Sequence, residues 1–189
     1  MNIYHVTFLQ RLKHLLSRHR TLEHDGVMDT TMVDMDGECV DLGLPSGTLW
    51  ATCNVGANKP EDYGGYFGWH GGKTATANWG NGWNVPSKEQ WEELLQNTNS
   101  IWTTRNGVNG RLFTASNGKG LFLPAAGERW NDELCDAGSG RYWSSSLYDT
   151  GRTTFAPRHS SYFYFESGRY GMYFSDHIHK LSVRAVREN

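Results

Sequence analysis

The sequence predicts an α+β domain built from small twisted antiparallel sheets, one or two helices and long loops. Three observations carry this. Glycine is abundant at 22 of 189 residues and tryptophan reaches 8, while proline stays at 5, which suits a turn-rich, strand-dominated chain. Only one internal segment carries a complete helix-start signature. Two Asn-Gly dipeptides separate apolar runs at hairpin spacing.

In chain order, residues 3–20 come first. Ile3, Val6, Leu9, Leu12 and Leu16 repeat at helical spacing, with Phe8 and Leu15 widening the stripe. Such a helix can pack on its own domain, mediate homo-oligomerisation or lie on a membrane surface, and the pattern leaves these open. Residues 24–37 are polar and poorly patterned, so residues 1–37 read as an N-terminal helix and linker, and 38–189 as the main domain. From Glu38 onward, short apolar pieces alternate with Gly, Pro, Ser and Asn turns, as strands and tight loops do. Ser87 followed by Gln90 forms a capping-box pattern before WEELL, with Trp91, Leu94 and Leu95 as the buried stripe. Residues 102–127 then read as strand, Asn-Gly turn, strand, Asn-Gly turn, strand.

The net charge of −2 offers no basic excess for a phosphate backbone, so nucleic acid is not an expected partner. No stretch reaches the length of a membrane span, and Gln10, Arg11, Lys13 and His14 interrupt any signal-like run near the start. The expectation is cytoplasmic synthesis without a signal peptide. Cys39, Cys53 and Cys135 are odd in number and widely spaced, which favours free buried thiols over a disulfide framework or zinc ribbon.

The segment SSYFYFESGRYGMYFSDHIH, residues 160–179, concentrates side chains typical of binding surfaces. Aromatics make up nine of the 36 residues from Ser144 to His179, about twice their 13% share of the whole chain. Strand alternation puts Phe163 and Phe165 on one face and Tyr162, Tyr164 and Glu166 on the other. After a turn at Ser167-Gly168, Tyr170 and Met172 should share the inner face, with Arg169 and Tyr173 outside. The candidate ligand face is therefore Tyr162, Tyr164, Arg169, Tyr173, Phe174, Asp176, His177 and His179, joined by Tyr148, Asp149, Arg152, Phe155, Arg158 and His159 from the preceding loop. Packing of a small sandwich would account for the Phe and Tyr residues, but not for the Arg, His and Asp mixed among them. Trp143 with the three serines after it, and Ser182, Val183 and Val186 in a terminal strand, read as frame.

Six blocks fall in order along the chain: DLGLPSGTLWATCNVGA (41–57), NVPSKEQWEELL (84–95), WTTRNGVNG (102–110), FLPAAGERW (122–130), YWSSS (142–146) and SVRAVRE (182–188). Together they resemble the C-type-lectin-like domains of the formylglycine-generating-enzyme subtype, in the Fibrobacter major paralogous branch found in gut Bacteroides and their phages. The resemblance covers about residues 38–189. Several members of that fold are variable proteins of diversity-generating retroelements, in which error-prone copying at template adenines turns AAC codons into NNC. Such codons cannot specify Trp, Lys, Glu, Gln or Met. From Ser144 to His179 only Glu166 and Met172 belong to those five types, against 30 in the remaining 153 residues. A strand-rich segment also disfavours Lys, Glu and Gln, so this deficit has a second cause. The resemblance implies a variable region at about 144–180 and a non-enzymatic protein that binds a cell-surface protein or glycan of another cell. It further implies possible assembly into a phage particle.

Other chemistries find less support. Trp130-Asn131-Asp132 spells a triplet of calcium-dependent lectins, but the companion EPN or QPD loop is missing and calcium needs oxygens from several segments. His177 and His179 could share a strand side and ligate zinc, yet no further ligands complete a set, so no metal or other cofactor is expected. The family's enzymes hold copper with two cysteines near the C-terminus, and residues 136–189 contain none. No P-loop lysine follows the Gly-rich pieces, and no nucleophile elbow accompanies the Ser, His and Asp residues. The rival readings are an undiversified structural or accessory domain of the same fold and a degenerate formylglycine-generating-type enzyme.

Overall fold

The computed structural model describes residues 39–69, 80, 82–148 and 159–189. The expected N-terminal helix and linker lie outside these residues, as do Asp149, Arg152, Phe155 and Arg158. The architecture is α+β, with small antiparallel sheets around a single helix among the described residues. Strands β1 (Cys39–Asp41), β2 (Leu49–Ala51) and β11 (Val186–Arg187) form one sheet in the order β1-β2-β11. Strands β3 (Thr98–Arg105), β4 (Val108–Ala115) and β5 (Gly120–Pro124) form a meander. Strands β6 (Glu128–Trp130) and β7 (Glu133–Cys135) make a short hairpin. Strands β8 (Gly140–Leu147), β9 (His159–Phe165) and β10 (Tyr170–Asp176) form the sheet that carries six of the fourteen candidate residues, with β9 in the middle. No helix among the described residues is long and apolar enough to cross a membrane.

Helix α1 (Lys88–Asn97) starts where the sequence requires. The Ser87 hydroxyl accepts from the Gln90 amide and the Gln90 side chain accepts from the Ser87 amide, closing the capping box. It ends at Thr98, whose backbone is already extended and whose hydroxyl donates to the Leu94 carbonyl. The helix buries Trp91 and Leu94, and Leu95 packs against the same core. Trp91 lies 4.7 Å from Trp50 and 4.9 Å from Phe163 between ring centroids, so one indole joins the terminal sheet to β9. Its Nε1–H donates to the Trp143 carbonyl, 3.3 Å away.

The two Asn-Gly turns appear as expected. Asn106 and Gly107 both take positive φ, at 48° and 82°, the geometry of the turn that matches strand twist in a two-residue hairpin. The Trp130-Asn131-Asp132 triplet turns out to be another hairpin tip. Asn131 and Asp132 have φ of 49° and 62°, and the Asp132 carboxylate pairs with Lys180.

The serine run after Trp143 is a bulge. Trp143 pairs with Tyr162 and Leu147 with Ser160, so β8 spends two more residues than β9 over that interval. The displaced backbone is used throughout. Trp69 Nε1–H donates to the Ser144 carbonyl, the Ser145 amide donates to Pro86, and the Lys88 amide donates to the Ser146 hydroxyl. These serines therefore seat the start of α1, which fits their expected frame role.

The expected terminal strand is shorter than the sequence suggests. Only Val186–Arg187 is regular, while Ser182 and Val183 are irregular backbone bonded to Trp143 and Val55. Within this irregular segment Arg184 is fully buried. Its guanidinium donates to Asn54 Oδ1, the Ala51 carbonyl and the Phe122 carbonyl at 3.0–3.1 Å. Burial pushes its pKa down, and the neighbouring Tyr142 hydroxyl partly opposes this. The three cysteines are free, as expected, but half-buried rather than fully enclosed.

Candidate binding surface

Alternation on β9 is as the sequence implies. Phe163 and Phe165 are fully buried against α1 and the β3–β5 meander, and Tyr162 and Tyr164 stand on the opposite face. Tyr170 and Met172 share the Phe side, opposite Phe165 and Phe163. Met172 packs on the core, whereas Tyr170 runs past its edge and lies under the Arg111 guanidinium, 4.4 Å from the ring centroid. Arg111 also donates to the Glu166 carbonyl, fixing the β9–β10 turn to β4.

The first correction concerns Tyr162 and Tyr164. Expected as exposed contact groups, both are only 8% exposed. Arg141, one strand over on β8, lies 6.0 Å and 5.3 Å above their rings. Tyr173 meets Tyr164 edge-on at 5.4 Å, and Trp143 meets Tyr162 edge-on at 6.5 Å. The Tyr164 hydroxyl donates to Glu166 Oε2 at 2.7 Å. Burial, and then this bond to a carboxylate, raises the Tyr164 pKa; burial likewise raises that of Tyr162. The two tyrosines form a floor, and what stands over it is the accessible layer.

The second correction concerns Phe174 and Asp176. By register they lie on the other face of β10 from Tyr173, because 174 and 176 alternate with 173. Phe174 stacks on Tyr148 with centroids 4.1 Å apart and planes 11° from parallel, and His159 meets it edge-on. Tyr173 and Phe174 are 44% and 51% exposed. The surface is thus two aromatic patches on opposite faces of β10 rather than one plate.

His177 and His179 do not share a strand side, since β10 ends at Asp176 and both follow in a turn. His177 stacks on Trp69 at 4.5 Å and its Nε2 lies 2.8 Å from the Ser160 hydroxyl. His179 stacks on Trp130, and its Nδ1 stands 3.2 Å from Glu128 Oε2, within ion-pair distance but poorly aligned for a hydrogen bond. The two imidazoles thus have separate surroundings, and the described residues hold no group of three or more His, Cys, Asp or Glu side chains placed for a metal.

Arg169 sits where expected, largely in solvent, 2.8 Å from Glu166 Oε1 and 5.4 Å over the Tyr164 ring. Hydrogen bonding to Tyr164 and the charge of Glu166 push its pKa up, so it stays cationic. Sequence reasoning missed Arg141, Glu128 and Trp130. Arg141 is joined to Glu128 at 3.3 Å and to Asp136, which pins it above the tyrosines. Alternation would have found it, since Arg141 and Trp143 flank the buried Tyr142; the pairing with the β6–β7 hairpin had no local signal.

Comparison of the chain with protein-family models, curated proteins and solved structures yields no match.

Proposed function

We propose that the protein is a non-enzymatic binding protein of C-type-lectin-like fold that grips a cell-surface protein or glycan of another cell through the β8–β9–β10 region. One observation carries this reading. Of the ten large apolar side chains exposed among the described residues, Leu147, Tyr148, Tyr170, Tyr173, Phe174 and Ile178 come from one short stretch of chain. Exposed aromatics beside an arginine are the composition of contact surfaces, where large rigid rings bring area at little entropic cost.

We infer further that this stretch is diversified by a retroelement, in a phage or prophage setting. The dearth of Trp, Lys, Glu, Gln and Met from Ser144 to His179 supports it. In this reading Arg169 and Tyr173, over a floor of Tyr162, Tyr164 and Arg141, and Tyr148, His159 and Phe174 on the other face of β10, are exchangeable contact positions. The test is the DNA beside the gene. A near-copy of the last 150 or so nucleotides, next to a reverse-transcriptase gene and differing at template adenines, is the expected finding. Adenine-independent differences, or no such copy, would leave an undiversified surface domain. The burial of Tyr162 and Tyr164 favours that second reading for those two positions, because an enclosed side chain tolerates few replacements.

A further inference from the structure

We propose that β10 is a self-association strand, and that two copies of the chain pair antiparallel through its free edge into one continuous six-stranded sheet. The bonding pattern of the hairpin fixes which groups are available. The Glu166 amide donates to the Arg169 carbonyl, and Tyr170 pairs with Phe165. In an antiparallel ladder a residue points both its N–H and its C=O to the same side, and successive residues alternate. Arg169, Gly171, Tyr173 and Ser175 therefore bond toward β9, while Tyr170, Met172 and Phe174 direct their N–H and C=O groups outward. Among the described residues, β10 pairs with β9 alone.

Such a row is a template for another strand, and monomeric proteins usually blunt it with lysine, proline, a bulge or a covering loop. From Tyr170 to Asp176 there is no lysine, no proline and no register shift. Among the described residues no strand or isolated bridge occupies its outer edge, and Tyr170, Tyr173 and Phe174 remain about half exposed. The other long edge strands differ: β8 is bridged on its outer side at Tyr142 to Ser182, and β3 ends in Arg105, which is ion-paired to Glu61.

A second copy is the occupant that the strand itself matches. With the twofold axis through Tyr173, Met172 faces Phe174, Gly171 faces Ser175, Tyr170 faces Asp176, and Tyr173 faces its own equivalent. At the centre of the seam Met172 then meets Phe174 on one face and Tyr173 meets Tyr173 on the other, and no like charges oppose one another, since Asp176 is the only charged residue in the strand. Met172 and Phe174 of each copy exchange both bonds. The two tyrosine floors become neighbours across the seam, so one assembly would present two equivalent surfaces to a target. The seam shares Tyr173 and Phe174 with the ligand reading, but its test needs no ligand, so the two can fail separately.

The experiment uses the full chain. Sedimentation equilibrium between about 1 μM and about 1 mM spans the range of weak dimers, and amide hydrogen exchange is followed over the same series. The amides of Gly171 and Tyr173 should be protected at every concentration, since β9 holds them. Those of Tyr170, Met172 and Phe174 should gain protection in step with the dimer fraction, an alternation that no other interface would produce. Phe174→Pro removes an outward N–H without touching the β9 ladder, and Phe174→Lys places a charge at the seam. Each should weaken association at least tenfold while the exchange of Gly171 and Tyr173 stays slow. A chain that remains monomeric at the highest concentration, or a dimer indifferent to both substitutions, overturns the proposal.

Discussion

Replacing Arg184 with methionine isolates the contribution of a buried cation that no carboxylate contacts among the described residues. The side chain is fully buried, and its three hydrogen-bond acceptors are neutral: the Asn54 amide oxygen and the carbonyls of Ala51 and Phe122. Methionine fills most of the volume but donates nothing. A buried acceptor left without its donor costs about 1–3 kcal/mol, so three give roughly 3–9 kcal/mol. Against this, removing an unpaired guanidinium from a dry interior recovers several kcal/mol of desolvation. Because the acceptors lie on β2, β5 and the loop at Asn54, they cannot re-pair together, and the net loss should be about 3 kcal/mol. In urea the midpoint should fall with an unchanged slope, and the melting temperature should drop by about 6–12 °C for a domain of this size. Arg184→Lys should lose nearly as much, since one ammonium on a shorter reach cannot serve three sites. An unchanged or higher midpoint for Arg184→Met would refute the reasoning, by showing that the buried charge was a net burden.

Further outcomes follow from the same packing. A Cβ at position 140 would collide with the Phe165 ring, so Gly140→Ala should cost about 1–3 kcal/mol by chemical denaturation. Ser87→Ala removes the cap of α1 and should cost about 1 kcal/mol, read as a urea midpoint shift. Burial alone would raise the Glu61 pKa, but hydrogen bonding from Asn106 and the nearby Arg105 outweigh it and hold it below the usual glutamate value. A depressed folded pKa contributes stability that is present above pH 4.5 and lost as pH falls through the folded value. Glu61→Gln should therefore lower stability at neutral pH and flatten its decline below pH 4.5, measured as urea midpoints across a pH series. In an alkaline absorbance titration Tyr162 and Tyr164 should ionise later than an exposed tyrosine, and Glu166→Gln should bring Tyr164 earlier.

Local rules were readable where the chemistry is local. Ser87 and Gln90 marked the helix start, Asn106-Gly107 marked a hairpin, and alternation separated the buried Phe163 and Phe165 from the opposite face. What was not readable depends on groups distant in sequence. Tyr162 and Tyr164 looked solvent-facing because nothing nearby in the chain announces that Arg141, itself pinned by Glu128, lies over them. Phe174 and Asp176 were grouped with Tyr173 by composition, although strict alternation already put them on the other face. The serine bulge was invisible because its partners, Pro86, Lys88 and Trp69, come from other segments.

The central claim is that a stiff frame holds exchangeable contact groups. Its most direct measurement compares urea unfolding of two multiple variants. Tyr148, Arg169, Tyr173 and Phe174 changed together to serine should lose no more than about 2 kcal/mol, the worth of one ring stack and an exposed ion pair. Tyr162 and Tyr164 changed together to alanine should lose at least about twice that, as enclosed aromatic side chains do. A fourfold variant that unfolds, or a floor pair replaced without loss, would contradict the account.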